Sequence, residues 1–343
     1  MERFRRPEIS VIIPMYNEEA NVKRTLNRVS AALNSFCREW EIIVVDDGSV
    51  DRTQEVIKKY SKLEPKVKLA GYFPNQGPGK ALRTGFQKAQ GEIICSTDAD
   101  LSYSEIHLVK MAGILKNNPE YDFVVGSPYV KHGRTENVPG NRLLISKLGN
   151  KILSYAMKSK VTTVTGVLRA YRYNCIKSLE LESEGKEIHL EILSKALAMG
   201  YKPYEMPAVL KGREKGSSKF RFKATALSHL IFSFFERPII LFGLIGLFLV
   251  VLGLIGGGYL IYLWQMKTLN PDRPLITLVA LFILTGLQVL LFGFLGTQIV
   301  QLRKEIYKIQ RENKNLEEIL TNTALNSGRG ISRRAFIKSQ VQK

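Results

Sequence analysis

Hydrophobic and polar positions follow two different patterns along this chain. Between residues 8 and 210, short apolar runs alternate with longer stretches of helical composition. The apolar runs lie at residues 9–13, 41–45, 67–72, 92–96 and 123–126, and the helical stretches at 18–36, 52–63, 79–89 and 104–117. Continuous runs rich in β-branched residues are typical of buried parallel strands. The alternation therefore predicts an α/β fold with a mostly parallel, Rossmann-like sheet and helices on both faces.

The rest of the chain is much more apolar. Residues 239–266 and 275–302 contain no charged side chain, and each stretch exceeds the ~20 residues that a helix needs to cross a bilayer. The segment between them contains the helix breakers Asn270, Pro271 and Pro274. This pattern predicts a hairpin of two transmembrane helices. A hairpin buried in a soluble core is the alternative, but uncharged runs of this length are rare there.

Basic residues are concentrated at the outer ends of the two apolar stretches. Only Lys267 and Arg273 lie between them. The outer basic residues are Lys211, Arg213, Lys215, Lys219, Arg221, Lys223 and Arg237 before the first stretch, and Arg303, Lys304, Lys308, Arg311 and Lys314 after the second. By the positive-inside rule, this asymmetry predicts that both termini are cytoplasmic. The basic, polar start of the chain does not have the pattern of a secretory signal, in agreement with a cytoplasmic soluble domain.

Two segments beside the apolar stretches have patterns of their own. Residues 216–238 mix basic and aromatic side chains, which favours a juxtamembrane segment at the membrane interface, although an ordinary docking helix has a similar composition. The basic tail, residues 303–343, begins with apolar residues in 4-3 spacing. These residues are Leu302, Ile306, Ile309, Leu316 and Leu320, and Asn313 occupies a core position of the same coiled-coil repeat. The spacing predicts a short coiled-coil-like helix, and we expect self-association through this helix and the hairpin.

The overall charge restricts the class of partner. The chain has 343 residues and a formal net charge of +19. Such an excess favours an anionic membrane surface, a phosphorylated ligand or nucleic acid. The sequence has no helix-turn-helix, zinc-finger or RNA-binding pattern, so we expect no nucleic-acid partner. The three cysteines are widely separated and indicate neither a disulfide framework nor a zinc site.

Polar and acidic residues follow each of the first four predicted strands. They lie at residues 14–18, 46–51, 75–80 and 98–100. Because ligands bind at the carboxyl ends of the strands in open α/β sheets, we expect these residues to form one site. Asp98 and Asp100 supply the hard oxygen ligands that Mg²⁺ or Mn²⁺ prefers, together with substrate phosphates. Asp51 alone is equally well explained as a helix N-cap.

The glycine-rich segment at 77–80 is not a Walker phosphate loop. That pattern requires Gly at position 74 and Ser or Thr at position 81, where this chain has Pro74 and Ala81. A tight turn that opens a helix remains. In it, Lys80 and Arg83 face either solvent or a ligand phosphate.

Together, the segments 14–18, 46–51, 75–82 and 98–102 resemble family 2 glycosyltransferases of the GT-A fold, in order and spacing. The resemblance covers about residues 8–220, and we place the catalytic domain at residues 1–215. It implies that the donor nucleotide is held by Pro14, Tyr16, Glu18, Asp47 and Lys80. It also implies that Asp98 and Asp100 are catalytic and bind the metal on the donor diphosphate.

Three later segments narrow the resemblance to one branch. Residues 142–150, 165–172 and 213–219 are similar to dolichyl-phosphate mannose synthases and polyprenyl-phosphate glucosyltransferases. That branch implies inverting transfer of a hexose from a GDP-mannose or UDP-glucose type donor to dolichyl or polyprenyl phosphate. It also implies that the acceptor phosphate is bound by Arg142, Arg169, Arg213, Ser218 and Lys219. Pro128, Ser102 and one extra residue at 165–169 depart from the usual pattern, so the sugar stays open.

The acceptor chemistry bears on the catalytic candidates. A phosphate monoester is already anionic at neutral pH and needs no strong general base. Arg142 can neutralise charge on it, because guanidinium pairs bidentately with phosphate. Glu191 lies where other family members place a catalytic carboxylate, and a helix contact or a solvated position is its alternative interpretation.

Three other functions remain open at this point. A processive polysaccharide synthase would carry Gln-X-X-Arg-Trp, yet neither Trp40 nor Trp264 follows an arginine. A family 2 membrane transferase for another acceptor is the second. A non-catalytic membrane scaffold that binds nucleotide-sugars is the third, and the Asp98/Asp100 pair disfavours it.

Overall fold

The structure, a computed structural model, describes residues 6–157, 159–212, 237–268, 270 and 274–326. The strands are β1 (Ile9–Met15), β2 (Trp40–Asp47), β3 (Val67–Tyr72), β4 (Ile93–Ser96), β5 (Phe123–Ser127), β6 (Arg134–Glu136), β7 (Arg169–Arg172), β8 (Pro203–Pro207) and β9 (Val209–Lys211). The helices are α1 (Glu19–Phe36), α2 (Thr53–Leu63), α3 (Pro78–Lys88), α4 (Ile106–Asn117), α5 (Gly140–Ala156), α6 (Tyr173–Ser178), α7 (Ile188–Ala198), α8 (Pro238–Gln265) and α9 (Pro274–Asn326).

Seven of the strands form one mixed sheet in the order β3-β2-β1-β4-β7-β5-β8. The pairs among β1 to β4 are parallel, as is β5 with β8. β7 lies antiparallel between β4 and β5. The predicted α/β fold with a mostly parallel sheet is therefore confirmed, and the antiparallel β7 is an addition that the apolar pattern did not indicate.

The sheet is buried on both faces because helices cover each of them. Successive residues of a strand point to opposite faces. In β1, Val11 and Ile13 pack in the cluster with α1 and α4. Their neighbour Ile12 packs on the other side with Leu82 and Phe86 of α3. This two-sided burial explains why the strands read as continuous apolar runs in the sequence.

The two apolar stretches form long helices that pack against each other. α8 and the first part of α9 are long and apolar enough to cross a membrane. At the contact, a Cβ on Gly246 would lie 2.8 Å from the carbonyl oxygen of Gly286. Only glycine permits so close an approach of the two backbones, as small residues do in membrane helix pairs. The predicted hairpin of two apolar helices is thus confirmed.

α9 does not end where its apolar part ends. It has 53 residues, which at 1.5 Å per residue is about 80 Å of helix. We call residues 303–326 the α9 extension. One face of this extension contacts α6 and α7 of the catalytic domain through Tyr307, Arg311 and Lys314. Its apolar 4-3 stripe, from Leu302 to Leu320, is at least 50% exposed at each of its apolar positions.

Candidate active site

The turn after β1 is bound to the turn after β2. The Asn17 amide N–H donates to Ser49 Oγ (2.9 Å), and the Val50 amide N–H donates to Asn17 Oδ1 (2.9 Å). The Glu18 amide N–H donates to Thr53 Oγ1 (2.8 Å). Asn17 has a φ of 51°, a left-handed conformation that asparagine tolerates better than most residues. These bonds hold the predicted donor-binding residues Pro14, Tyr16 and Glu18 in one half-buried turn.

Asp47, at the end of β2, organises the loop after β3. Its Oδ1 accepts hydrogen bonds from the amides of Gln76 (3.0 Å) and Gly77 (3.2 Å), and its Oδ2 accepts one from Asn75 Nδ2 (2.8 Å). Burial and this carboxylate raise the pKa of Tyr72 far above its ordinary value. Asp47 therefore uses its oxygens on its own chain, so its predicted contact with the nucleotide remains a prediction.

Asp98 and Asp100 follow β4, on the strand next to β1. Both are half-buried. Asp100 Oδ1 accepts hydrogen bonds from the amide (2.9 Å) and the hydroxyl (2.7 Å) of Ser102. Thr25 of α1 donates to the carbonyl of Ala99 between them. The turn is therefore fixed from both sides, and its two carboxylates are held at the carboxyl edge of the sheet.

These two carboxylates fit a divalent cation that takes its other ligands from substrate. Among the described residues, no group of three or more His, Cys, Asp or Glu side chains could hold a metal ion. Mg²⁺ commonly binds through one or two carboxylates plus substrate phosphates. Oxygens of a donor diphosphate and water would therefore have to complete the coordination. Burial, and secondarily the charge of Asp98, raise the pKa of nearby Tyr103.

The first turn of α3 completes this edge of the sheet, but it is covered by protein. The amides of Gly79 (2.7 Å) and Lys80 (3.3 Å) donate to the carbonyl oxygen of Glu184. A Cβ on Gly79 would lie 2.5 Å from the carbonyl oxygen of Ser183. Glycine at position 79 is thus required because the loop with Ser183 and Glu184 packs closely against it in this structure. We call the turns after β1, β2 and β4, with this first turn of α3, the polar edge.

Lys80 and Arg83, both in α3, have different surroundings. Lys80 is half-buried in the first turn of α3, and its binding to the donor remains a prediction. The Arg83 side chain is 20% exposed, and its guanidinium donates to the carbonyl of Leu181 (3.1 Å) and lies 3.8 Å from the Glu184 carboxylate.

Arg169 is fully buried, contrary to the predicted contact with the acceptor phosphate. Its guanidinium donates to the carbonyl oxygens of Val164 (2.5 Å), Gly166 (2.9 Å) and His189 (2.7 Å), and its exposed fraction is 0%. Buried cations require such partners. In this arrangement Arg169 shapes the segment before β7, and its contact with the acceptor phosphate remains a prediction.

Glu191 is also buried and bound to its own chain. Its Oε1 accepts hydrogen bonds from the Glu182 amide (2.9 Å) and from Lys195 Nζ (2.7 Å), and its Oε2 accepts one from the Ser183 amide (2.9 Å). Burial alone would raise the pKa of this carboxyl, but the bonds from Lys195 and the loop amides hold it below the ordinary value. The geometry matches the alternative of a helix contact better than that of a catalytic carboxylate exposed to substrate.

Two side chains that the sequence analysis did not identify hold the segment at 162–165. Asn150 Oδ1 accepts hydrogen bonds from the amides of Val164 (2.8 Å) and Thr165 (3.2 Å). The Glu205 carboxylate accepts bonds from the amides of Thr162 and Thr163, each at 2.9 Å. Both act on backbone groups distant in sequence, for which a single chain carries no local signal.

The other predicted acceptor residues remain predictions. Arg213, Ser218 and Lys219 lie outside the described residues, as does the juxtamembrane segment except for its last two residues. The backbone of Arg142 lies in α5, but its side chain is likewise outside the description. α5 itself is held to the domain by Tyr129, whose hydroxyl donates to Ser146 Oγ (2.8 Å).

Comparison with known proteins identifies the domain. Residues 10–179 match the family model described as glycosyl transferase family 2. Dolichol-phosphate mannosyltransferase of Pyrococcus furiosus is 35% identical over 219 residues, which are 63% of this chain and 60% of that protein. Undecaprenyl-phosphate 4-deoxy-4-formamido-L-arabinose transferase of Shewanella sediminis is 27% identical over 332 residues, which are 94% of this chain and 95% of that protein. This chain thus spans less than two thirds of the first relative and nearly all of the second.

Solved structures agree on the fold. Glucosyl-3-phosphoglycerate synthase from Mycobacterium tuberculosis, in complex with phosphoglyceric acid, has a TM-score of 0.50 at 17% identity over 67% of this chain and 80% of that chain. The same synthase with Mn²⁺, uridine diphosphate and phosphoglyceric acid has a TM-score of 0.50 at 17% identity, over 66% of this chain and 78% of that one. The GT-A prediction is confirmed, and two helices that are long and apolar enough to cross a membrane accompany it. Residues 10–179 are a glycosyl transferase family 2 domain.

Proposed function

We propose that this protein transfers a hexose from a nucleotide-sugar to a polyprenyl phosphate at a membrane surface. The observation that carries the proposal is the polar edge, where Asp98 and Asp100 lie beside the turn of Tyr16 in a domain joined to a membrane hairpin. Both relatives are named for transfer to a polyprenyl-phosphate lipid. The identity of the sugar is left to experiment.

On the donor side, the turn with Pro14, Tyr16 and Glu18 would hold the base and ribose. Asp98 and Asp100 would hold Mg²⁺ or Mn²⁺ against the donor diphosphate. When bound, such a cation neutralises charge on the departing nucleoside diphosphate. Asp47 would act on the donor indirectly, because its carboxylate fixes the neighbouring loop from Asn75 to Gly77.

On the acceptor side, the lipid phosphate would be its own nucleophile. One of its anionic oxygens attacks C1 of the donor sugar, the bond to the diphosphate breaks, and the anomeric centre inverts. The protein's task is then to position two anions close together and neutralise their repulsion. We assign that neutralisation to Arg142, Arg213 and Lys219, with Ser218 as a donor of a hydrogen bond.

The exposed face of α5 supports a membrane surface beside this site. Its outward apolar side chains are 44–69% exposed, and they are Leu144, Ile145, Leu148, Ile152 and Tyr155. The guanidinium of Arg237, just before α8, lies 4.3 Å from the ring centroid of Tyr155. An apolar helix face next to the start of a membrane helix is suited to the lipid interface. With the basic residues outside the hairpin, this supports a catalytic domain (residues 1–215) and both termini on the cytoplasmic side.

The exposed stripe of the α9 extension supports self-association. Ile306 (53% exposed), Ile309 (55%) and Leu316 (56%) lie on a face that the described residues leave mostly exposed, and 4-3 spacing suits packing against a second copy of the same helix. Ile309→Asp should shift the detergent-solubilised protein toward monomer in light scattering. An unchanged molar mass would reject this interface.

A transfer assay tests the proposed function. The purified full chain in detergent is given polyprenyl phosphate, Mn²⁺ or Mg²⁺, and radiolabelled GDP-mannose, UDP-glucose or UDP-N-acetylglucosamine. We expect an organic-extractable labelled lipid from one donor, and no product after addition of EDTA. Label transferred only to a water-soluble acceptor would favour another family 2 transferase, while nucleotide binding without any transfer would favour a scaffold.

A further inference from the structure

The loop between α6 and α7, residues 179–187, covers the first turn of α3. We call it the covering loop. The carbonyl oxygen of Glu184 accepts the amides of Gly79 and Lys80, and the carbonyl oxygen of Leu181 accepts Arg83 Nη1. Because this turn is continuous with Gly77, whose amide binds Asp47, the position of the covering loop is coupled to the polar edge.

Two buried charged side chains of α7 hold the covering loop in place. Glu191 accepts the amides of Glu182 and Ser183. Lys195 donates to Glu191 Oε1 at 2.7 Å and to the carbonyl oxygen of Glu180. The side chains of Glu191 and Lys195 are 9% and 11% exposed. A buried ion pair leaves an uncompensated charge when one partner is lost, so this pair makes the loop position depend on both residues.

The α9 extension contacts the same two elements from outside. Lys195 Nζ lies 5.6 Å from the ring centroid of Tyr307, within range of a cation–π contact. Lys314 Nζ donates to the carbonyl oxygen of Ser178 (2.9 Å), just before the covering loop. Arg311 donates to the carbonyl oxygen of Met199 at the end of α7, and stacks over the ring of Tyr201. The extension thus touches both ends of the segment that Glu191 and Lys195 organise.

We propose that the α9 extension holds the covering loop through Lys195 and Glu191, and that these two residues are positioning residues for donor binding. The path runs from Tyr307 to Lys195, to Glu191, to the covering loop, and then to the first turn of α3 and the loop held by Asp47. This inference rests on the proposed function in one respect, that the polar edge binds the donor nucleotide. It gives Glu191 a role other than contact with the reacting atoms.

The test compares variants of the full chain in detergent. Lys195→Met removes the central cation, and Arg311→Ala/Lys314→Ala removes the outer contacts without altering α7. Lys308→Ala is the matched control, since Lys308 is 56% exposed and its side chain bonds only to Glu305 of the same helix among the described contacts. Hydrogen exchange of residues 76–84 and 179–187 is measured together with kcat and KM for donor and acceptor.

We expect faster exchange in both segments for Lys195→Met and for the double variant, and no change for Lys308→Ala. Donor KM should rise about fivefold, the size of effect of one lost hydrogen bond, with kcat and acceptor KM unchanged. Lys195→Arg, which keeps the cation, should restore most of the donor affinity.

Two results would overturn the inference. Unchanged exchange in residues 179–187 would show that the extension does not hold the covering loop. Faster exchange with an unaltered donor KM, or a fall in kcat at constant donor KM, would show that the loop does not position the donor. If the unmodified chain transfers no sugar, the proposed function fails. Hydrogen exchange of the two segments, together with binding of UDP or GDP in the presence of Mn²⁺, still tests whether the covering loop positions the donor nucleotide.

Discussion

The polar edge and the outward face of α5 lie on the same domain but are built in opposite ways. At the polar edge, side chains such as Asn17 and Asp47 bind backbone groups of neighbouring turns. On α5, apolar side chains such as Leu148 face outward with no protein over them among the described residues. The first region is completed by its own hydrogen bonds, whereas the second is an apolar surface left exposed by the described residues. If the proposed function holds, one domain combines a hydrogen-bonded site for the donor with an open apolar face for the lipid.

The sharpest way to test the polar edge is Asp98→Asn. If Asp98 holds the cation against the donor diphosphate, transfer should fall by about 10³-fold, as when a preorganised charge contact is removed. The measurement is labelled lipid formed per minute at saturating donor and Mn²⁺.

Glu55→Gln is the control for that change. Glu55 is an exposed carboxylate of α2 that pairs with Lys59, and its loss should leave transfer unaltered. Equal activity of the Asp98→Asn protein and the unmodified chain would contradict a catalytic role for the polar edge.

Arg169→Met separates a structural cation from one that binds phosphate. The substitution leaves the carbonyl oxygens of Val164, Gly166 and His189 without their donor, so we expect a loss of about 3 kcal/mol in stability. The apparent melting temperature in detergent measures it. A full-stability variant with raised acceptor KM would instead restore the prediction that Arg169 binds the acceptor.

The apolar face of α5 is tested by Leu148→Gln. Losing one side chain from the lipid interface should raise the acceptor KM about tenfold, the effect of roughly 1.5 kcal/mol of apolar burial. Donor KM should not change. Leu63→Gln is the matched control, because Leu63 is 85% exposed at the end of α2, and an equal effect of both changes would remove the special role of α5.

The smallest expected effect is the response of stability to acid. Burial would raise the pKa of Glu41, but hydrogen bonds from Lys68, Ser10 and the Gln90 amide hold it below its ordinary value of 4.5. A depressed folded-state pKa stabilises the fold above pH 4.5, and this contribution disappears as the pH falls through the folded value.

The melting temperature should therefore decline as the pH falls below about 4.5, with at most about 1.4 kcal/mol lost per pH unit for each such carboxyl. Glu41→Gln should be less stable at pH 7 and should show a shallower decline. A decline equally steep in that variant would assign the acid response to other carboxylates.

The regions differ in how well the sequence predicts them. The strands and their polar ends could be located because burial on both faces and the sheet edge impose local patterns. An example is the apolar run 9–13, which is followed by the polar segment 14–18. The antiparallel β7, Arg169–Arg172, has no apolar run and is placed by its partners in the sheet. The place of β7 in the sheet therefore follows from pairing with strands distant in sequence, and a local sequence pattern carries no information on such pairing.

Three charged residues singled out in the sequence are bound by their own chain in the structure. Arg169, Glu191 and Arg83 are charged, and charge in a sequence suggests exposure to a ligand. In the structure these groups bind backbone carbonyls or amides of loops outside their own helix or strand. The residue type indicates that a strong partner is needed, but it does not distinguish a substrate phosphate from a loop of the same chain.

The unbroken course of α9 has a consequence for how far the domain stands from the lipid. The same helix begins with the apolar span and reaches Met199 of the domain at Arg311. One residue inserted between the two points would turn the docking face by about 100° and lift it by about 1.5 Å. Seven inserted residues would nearly restore the angle but add about 10 Å of height. The uninterrupted helix therefore fixes both the height of the docking face along its axis and the direction in which that face points. No single insertion changes one of these without changing the other.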